Sequence, residues 1–301
     1  IIGAGHVGAA TAFALMLRGL FSELVLIDTN TALAAAEAED ISDASALARP
    51  ARVFAGSYTD AATARIAILT AGAATQGAAS RLSVAAYSAE IVTSCVTQLT
   101  DAGFEGVLIV AANPVDLMAW TAFRRAGLPA ARVIGTGTLL DTCRLRQALA
   151  SRLNVAPESV EGIVLGEHGD SEVAVLSAIR VGGLTLEQFA PGLIDGARLA
   201  REVRDAGYKI VTGKGYTSFG IATAAVRICE AIVRDERVVL PVSTLLTGQF
   251  GLSDLYLSLP CLVGAGGIEQ VLVPDLNETE AAAFLNSASI IQKAIGVLSI
   301  S

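Results

Sequence analysis

The residues of this 301-residue chain that could transfer a proton begin with its two histidines. His6 lies inside the glycine-rich segment Gly3–Gly8 (GAGHVG), a type of turn whose backbone approaches a ligand closely. His168 lies in a second motif, the segment Leu165–Ser171 (LGEHGDS). Because an imidazole ordinarily titrates near neutral pH, His168 is the candidate general acid and base.

A carboxylate and a guanidinium that could serve such a histidine lie in the segment Gly137–Arg144 (GTLLDTCR), which has the composition of a helix start. Asp141 and Arg144 are three residues apart, so both project from nearly one face of the first turn. The pair could orient an imidazole and bind a small anion. The alternative at this point is a loose cap, formed by Thr138 with Asp141, beside a surface ion pair.

A second arginine follows a small, uncharged stretch, residues 71–80, that comes directly after an apolar run. Arg81 is the first charged residue of this segment. An ordinary loop needs no arginine there, whereas a lid that closes over an anion or a polarised carbonyl would carry one at its far end.

The glycine segment follows the apolar pair Ile1-Ile2 and opens a pattern of helical length. Gly3 permits a tight turn, Gly5 allows backbone to approach a pyrophosphate, and Gly8 allows the helix to pack on a strand. Asp28 comes twenty residues after Gly8, at the end of the next apolar run. Its carboxylate could accept hydrogen bonds from ribose hydroxyls and would repel a 2′-phosphate, which favours NAD over NADP. The alternative is an ordinary glycine turn with Asp28 at a strand end.

These motifs lie at the ends of regular elements. Short continuous apolar runs alternate with alanine-rich helical segments in the first half, which is typical of a doubly wound parallel sheet. The predicted strands are 24–28, 66–70, 107–110 and 133–134, and the predicted helices are 7–19, 31–46 and 82–100.

The second half reads as an α+β domain with short antiparallel strands and long helices. We expect a Rossmann-type α/β domain over residues 1–135 and a substrate domain over 136–301, with a helix from Leu139 at the join. The second domain is predicted to contain strands at 163–165, 173–175, 179–181, 238–239 and 255–257, and helices at 195–211, 217–235 and 278–295.

Composition excludes several classes of partner. A formal net charge of −8 argues against nucleic acid, whose phosphates need clustered cations. No run of about 18 apolar residues indicates a membrane span. The four cysteines have no spacing typical of a metal site, and we read them as reduced thiols of a cytoplasmic protein with no metal.

Taken together, the motifs resemble those of the L-lactate/malate dehydrogenase superfamily over essentially the whole chain. The resemblance is carried by the glycine segment with Asp28 and by these segments: NPVD at 113–116, GTGTLLDTCR at 135–144, LGEHGDS at 165–171, GKGYTS at 213–218 and DLYLSLP at 254–260.

The resemblance implies an NAD-dependent oxidoreductase that acts on a small 2-oxo or 2-hydroxy acid in glycolysis, assembled as a homo-oligomer, a dimer or tetramer. The implied catalytic residues are His168 as acid and base, Asp141 as its partner and Arg81 in the lid. Implied substrate contacts are Arg144, Asn113, Thr75 and Thr217. Implied cofactor contacts are Gly3, Gly5, Val7, Gly8, Asp28, Ala71, Gly72 and Asn113.

The chain departs from the family at the position that discriminates substrates, six residues before the lid arginine, where it has Thr75. Malate-type members have arginine there and lactate-type members usually have glutamine. We therefore expect an L-lactate dehydrogenase. The alternatives are a 2-hydroxyisocaproate-type enzyme that accepts longer 2-oxo acids, a malate dehydrogenase, and an NAD-binding protein without turnover. The last would be expected to lack at least one of His168, Asp141, Arg144 and Arg81.

Overall fold

The computed structural model describes residues 1–73 and 81–298, and for residues 81–83 it describes the backbone alone. The elements of the first half are α1 His6–Arg18, β1 Glu23–Leu26, α2 Thr31–Ser45, β2 Arg52–Ala55, α3 Tyr58–Ala61, β3 Ile66–Leu69, α4 Arg81–Asp101, β4 Val107–Val110, α5 Val115–Ala126 and β5 Val133–Gly135. Those of the second half are α6 Leu139–Leu153, β6 Val160–Glu161, β7 Val164–Leu165, β8 Val173–Ala174, β9 Arg180–Val181, β10 Leu184–Thr185, α7 Leu186–Phe189, α8 Gly196–Lys214, α9 Phe219–Val233, β11 Val238–Thr247, β12 Ser253–Gly264, β13 Gly267–Val271 and α10 Glu278–Leu298.

The first half forms the predicted parallel α/β sheet. β3, β4 and β5 pair in parallel, β1 pairs in parallel with β2, and Ile2 bridges Ile27 and Leu69 between the two groups. Side chains alternate between the two faces because strand periodicity is two. On one face, Ile68 and Ile109 pack with α1, α2 and α9, and on the other Leu108 packs with α4 and α5. Both faces are covered, which explains the continuous apolar runs.

The second half corrects the expected strand lengths. β11 and β12 are long antiparallel strands, and with β13 they extend the parallel sheet from β5, in the order β13-β12-β11-β5-β4-β3. Sequence reasoning also missed β2. The short pairs β7-β8 and β6-β9-β10 are antiparallel, as expected.

The last helix, α10, has the length and hydropathy of a membrane span, and 22% of that stretch is buried within the protein. Three of its side chains, Phe284, Ala288 and Ile291, belong to a buried cluster that also contains strand residues of the second half. The Ser287 hydroxyl accepts a hydrogen bond from the Glu167 N–H at 2.7 Å. These contacts make α10 a packed helix of the fold, and it supports the loop that carries His168.

Candidate active site

Three of the predicted residues meet at the start of α6. Asp141 Oδ2 lies 2.5 Å from Nδ1 of His168, and Asp141 Oδ1 accepts a hydrogen bond of 2.8 Å from the Arg144 guanidinium. Asp141 is 1% exposed and the Arg144 side chain 17%, so the pair is not a surface ion pair. The capping alternative is also wrong, because the Thr138 hydroxyl donates to the Val164 carbonyl and makes no cap bond.

The charges of this cluster reinforce one another. Burial alone would raise the pKa of Asp141, but His168 and Arg144 hold it below its ordinary value. Enclosure alone would lower the pKa of His168, but the charge and hydrogen bond of Asp141 raise it to about 9. Because ionised Asp141 can only accept, Nδ1 carries the shared proton. The other ring nitrogen of His168 can then give a proton to a ligand.

Asp116 holds the backbone of His168 and is itself held by Ser243. The His168 N–H donates to Asp116 Oδ2 at 2.7 Å, and Asp116 Oδ1 accepts from the Ser243 hydroxyl at 2.5 Å. Burial raises the pKa of Asp116 to about 7. Sequence reasoning missed this residue because an acid in the first turn of a helix is ordinarily a solvent-exposed cap.

Glu172 is a further carboxylate that sequence reasoning missed. One of its oxygens, an oxygen of Asp141 and a ring nitrogen of His168 all lie within 4.8 Å of one another. These are donor types found in metal sites. The Arg144 guanidinium, 2.8 Å from Asp141, places a positive charge beside them that opposes a cation. The spacing His168-x-x-x-Glu172 carried no signal because the intervening residues form a turn.

The glycine segment fits a dinucleotide pyrophosphate. A Cβ on Gly8 would lie 1.8 Å from the Gly3 carbonyl oxygen, so turn and helix approach each other as closely as glycine permits. A Cβ on Gly5 would meet nothing within 4 Å, which leaves open space in front of the turn. Gly5 is also the N-cap of α1, and its position lacks a side-chain cap. The helix N-terminus is therefore available to an anion.

The remaining predicted cofactor residues surround this turn. Asp28 Oδ2 accepts a hydrogen bond of 2.7 Å from the Ala4 N–H, which ties the end of β1 to the glycine segment. A Cβ on Gly3 would lie 2.7 Å from the backbone nitrogen of Ala71. Gly72 follows Ala71, and Val7 lies in the first turn of α1. The structure thus brings most of the predicted cofactor set together.

The other predicted residues lie apart from the cluster or outside the part of the chain that the structure describes. Asn113 is exposed at the end of β4, before a cis peptide bond to Pro114, and Thr217 is half-buried just before α9. Arg81 begins α4, but its side chain is not among those described, and Thr75 lies outside the described residues. His6 stacks on Tyr216 with ring centroids 3.7 Å apart. It is therefore separate from the proton-transfer cluster.

Comparison with known families decides the class. The lactate/malate dehydrogenase NAD binding domain matches residues 1–135, and the lactate/malate dehydrogenase alpha/beta C-terminal domain matches residues 138–298. The chain belongs to the lactate/malate dehydrogenase family. It is therefore an oxidoreductase, and NAD is the cofactor of its N-terminal domain.

Individual members of the family are similar over their full length. An L-lactate dehydrogenase of Thermus aquaticus is 44% identical over 99% of this chain and 98% of its own. An L-lactate dehydrogenase of Clostridium botulinum strain 657 is 37% identical over 98% of this chain and 95% of its own. The crystal structure of the ligand-bound minor L-lactate dehydrogenase of Enterococcus mundtii superposes with a TM-score of 0.95 at 37% identity, covering 98% of this chain and 96% of that one. MGS-M5, a lactate dehydrogenase from a deep-sea metagenome library, superposes with a TM-score of 0.96 at 35% identity, covering 99% of this chain and 97% of that one.

Proposed function

We propose that this chain is an NAD-dependent L-lactate dehydrogenase, which reduces pyruvate to L-lactate. The observation that carries the proposal is the position of Asp141, whose two oxygens contact His168 and Arg144. This arrangement places a proton donor beside a cation that can bind a carboxylate. A 2-oxo acid has its carbonyl and carboxylate on adjacent carbons, which matches that juxtaposition. The names of the full-length relatives agree with this substrate.

We propose a role for each residue. Arg144 binds the substrate carboxylate through two parallel hydrogen bonds, a geometry that lysine does not reproduce. NADH, which the glycine segment and Asp28 would hold, would supply hydride to the carbonyl carbon. His168 donates its proton to the carbonyl oxygen, and Asp141 fixes the ring orientation and stabilises its protonated form.

The other assignments follow from the resemblance to the family. Arg81 would stabilise negative charge that develops on the carbonyl oxygen, and Asn113 would contact the nicotinamide or that oxygen. Thr217 and Thr75 would border the substrate side chain. Thr75 carries no charge that could pair with a second carboxylate, so we rank malate chemistry below lactate chemistry.

A second candidate is a dehydrogenase for longer 2-oxo acids, and Gly207 favours it. Gly207 lies inside α8, where glycine costs about 1 kcal/mol relative to alanine. A Cβ there would lie 3.8 Å from both terminal nitrogens of Arg144, an ordinary contact distance. Packing against Arg144 therefore does not require glycine, and we propose that the missing side chain leaves room near the site for a longer substrate.

The test is a panel of substrates. Steady NADH oxidation is measured with pyruvate, 2-oxobutyrate, 2-oxo-4-methylpentanoate and oxaloacetate, and kcat/KM values are compared. The proposal expects the highest value for pyruvate. A maximum at 2-oxo-4-methylpentanoate would favour the second candidate, a maximum at oxaloacetate would favour malate chemistry, and no turnover with any acid would support an NAD-binding protein without catalysis.

We further propose a cytoplasmic glycolytic enzyme with a domain boundary near residue 135, assembled as a dimer or tetramer. Assembly is supported by exposed apolar side chains along α1 and at the start of α9, namely Phe13, Leu17 and Phe219. Phe13 and Phe219 line a groove of about 270 Å³ between α1, α2 and α9. Light scattering of the purified protein gives its mass in solution, and a monomer would contradict this assignment.

A further inference from the structure

Glu172 lies against the catalytic cluster, and none of the roles above uses it. One carboxylate oxygen lies within 4.8 Å of both Asp141 and His168. The Oε1 atom is enclosed by protein and has no hydrogen-bond partner within the described ranges. A carboxylate enclosed without a donor is poorly stabilised in its ionised form because water no longer solvates it.

The groups that face Glu172 determine which carboxyl group of the pair holds a proton. Among the described residues these are Asp141 and Arg144 on α6, His168 on its own loop, and Arg204 on α8. Asp141 is kept ionised by direct bonds to His168 and Arg144. Two carboxylates this close do not both ionise readily, so the proton resides on Glu172. Burial, followed by the charge of Asp141, raises the pKa of Glu172 to about 8.

The protonation state of Glu172 sets the net charge of the site. With Glu172 neutral, the cations His168 and Arg144 exceed the anion Asp141 by one positive charge. A 2-oxo acid brings one negative charge, so the bound site is neutral. With Glu172 ionised, the charges of these four groups cancel, and the substrate carboxylate would add an uncompensated negative charge. In alkaline solution the Arg204 guanidinium and the Asp116 carboxylate add one charge of each sign in both cases.

We propose that Glu172 is a positioning residue that must be protonated when the anionic substrate binds, so that in alkaline solution binding takes up one proton at Glu172 in addition to one at His168. The inference rests on the proposed 2-oxo acid function. It assigns to Glu172 a role in substrate affinity, exerted through the charge of the Asp141–His168 pair.

The test measures proton uptake with a pH indicator in weakly buffered solution. Oxamate, in which an amide nitrogen replaces the methyl group of pyruvate, is added to the NADH complex. At about pH 10, one unit above the pKa of His168 and further above that of Glu172, both groups are largely deprotonated, and the unmodified enzyme should take up about two protons per site. Glu172→Gln, which is nearly isosteric but cannot ionise, should take up about one.

Two further variants separate this role from a structural one. Glu158→Gln makes the same chemical change at an exposed position of the same half of the chain and should retain the full uptake. Glu172→Asp keeps a carboxyl group and should restore the second proton. Equal uptake by Glu172→Gln and the unmodified enzyme would overturn the inference while the 2-oxo acid function stands. Failure of the unmodified enzyme to bind oxamate and to reduce any 2-oxo acid would overturn both.

Discussion

Asp141 Oδ2 lies 2.5 Å from Nδ1 of His168, and the aspartate is 1% exposed. The short contact between a buried carboxylate and the imidazole explains why His168 retains its proton well above the pH at which a free histidine loses it. The same aspartate also contacts Arg144, so a single side chain orients both the proton donor and the carboxylate-binding cation.

The first prediction concerns pH. Asp141 raises the pKa of His168 from 6.5 to about 9, so the imidazole is protonated at neutral pH. Reduction of pyruvate requires that proton, so kcat/KM should be flat through neutrality and fall as Glu172 and His168 deprotonate between about pH 8 and 9. Oxidation of L-lactate requires neutral His168 and should rise with pH over the neutral range. A reduction rate that increases with pH would contradict this assignment.

Replacing Asp141 with asparagine should remove the charge that stabilises protonated His168. We expect kcat for pyruvate reduction to fall about 10²- to 10⁴-fold, as for other catalytic histidines that lose a carboxylate partner. The alkaline limb of the pH profile should also move to lower pH, because the pKa of His168 falls. Stopped-flow and steady-state rates across pH measure both effects. An unchanged alkaline limb would show that Asp141 does not control the pKa of His168.

Asp28 should determine which cofactor is accepted. Its carboxylate repels a 2′-phosphate, so kcat/KM for NADH should far exceed that for NADPH in the unmodified enzyme. In Asp28→Ser the ratio of kcat/KM for NADH to kcat/KM for NADPH should be smaller. The hydrogen bond to Ala4 is lost at the same time, so thermal unfolding is measured in parallel to show that the glycine segment remains folded. Comparable values for both cofactors before mutation would refute the role.

The sequence predicted the site better than it predicted the sheet. Gly3–Gly8, Asp141, Arg144 and His168 lie in short local motifs, whose chemistry can be read without knowing what packs against them. In this region the sequence predicts only the short strands 238–239 and 255–257. β11 and β12 continue through Pro241 and Pro260, which directly oppose each other and are unusual inside strands.

Asp116 and Glu172 are residues of the site that the sequence did not predict. Both are ordinary surface residue types in the sequence, and their burial results from contacts between segments far apart in the chain. Asp116, for example, is enclosed by Ser243 and the His168 backbone, 127 and 52 residues away. No local pattern encodes such an environment.

Gly207 should control the length of substrate that is accepted. Gly207→Ala places a methyl group 3.8 Å from the Arg144 guanidinium, so kcat/KM for 2-oxo-4-methylpentanoate should fall about tenfold or more while that for pyruvate changes little. Gly213→Ala is the matched control, because it makes the same change in α8 at a position with nothing within 4 Å. Equal effects of both variants on all acids would show that Gly207 does not border the substrate.

The most direct test of the account is the comparison of the unmodified enzyme with His168→Gln in pyruvate reduction. Glutamine keeps a polar side chain of similar reach but cannot donate a proton as imidazolium does. We predict steady NADH oxidation with L-lactate as the product for the unmodified enzyme, and for the variant near-normal NADH binding by fluorescence with kcat reduced by orders of magnitude. Retention of most of kcat by His168→Gln would contradict the central role of the Asp141–His168 pair.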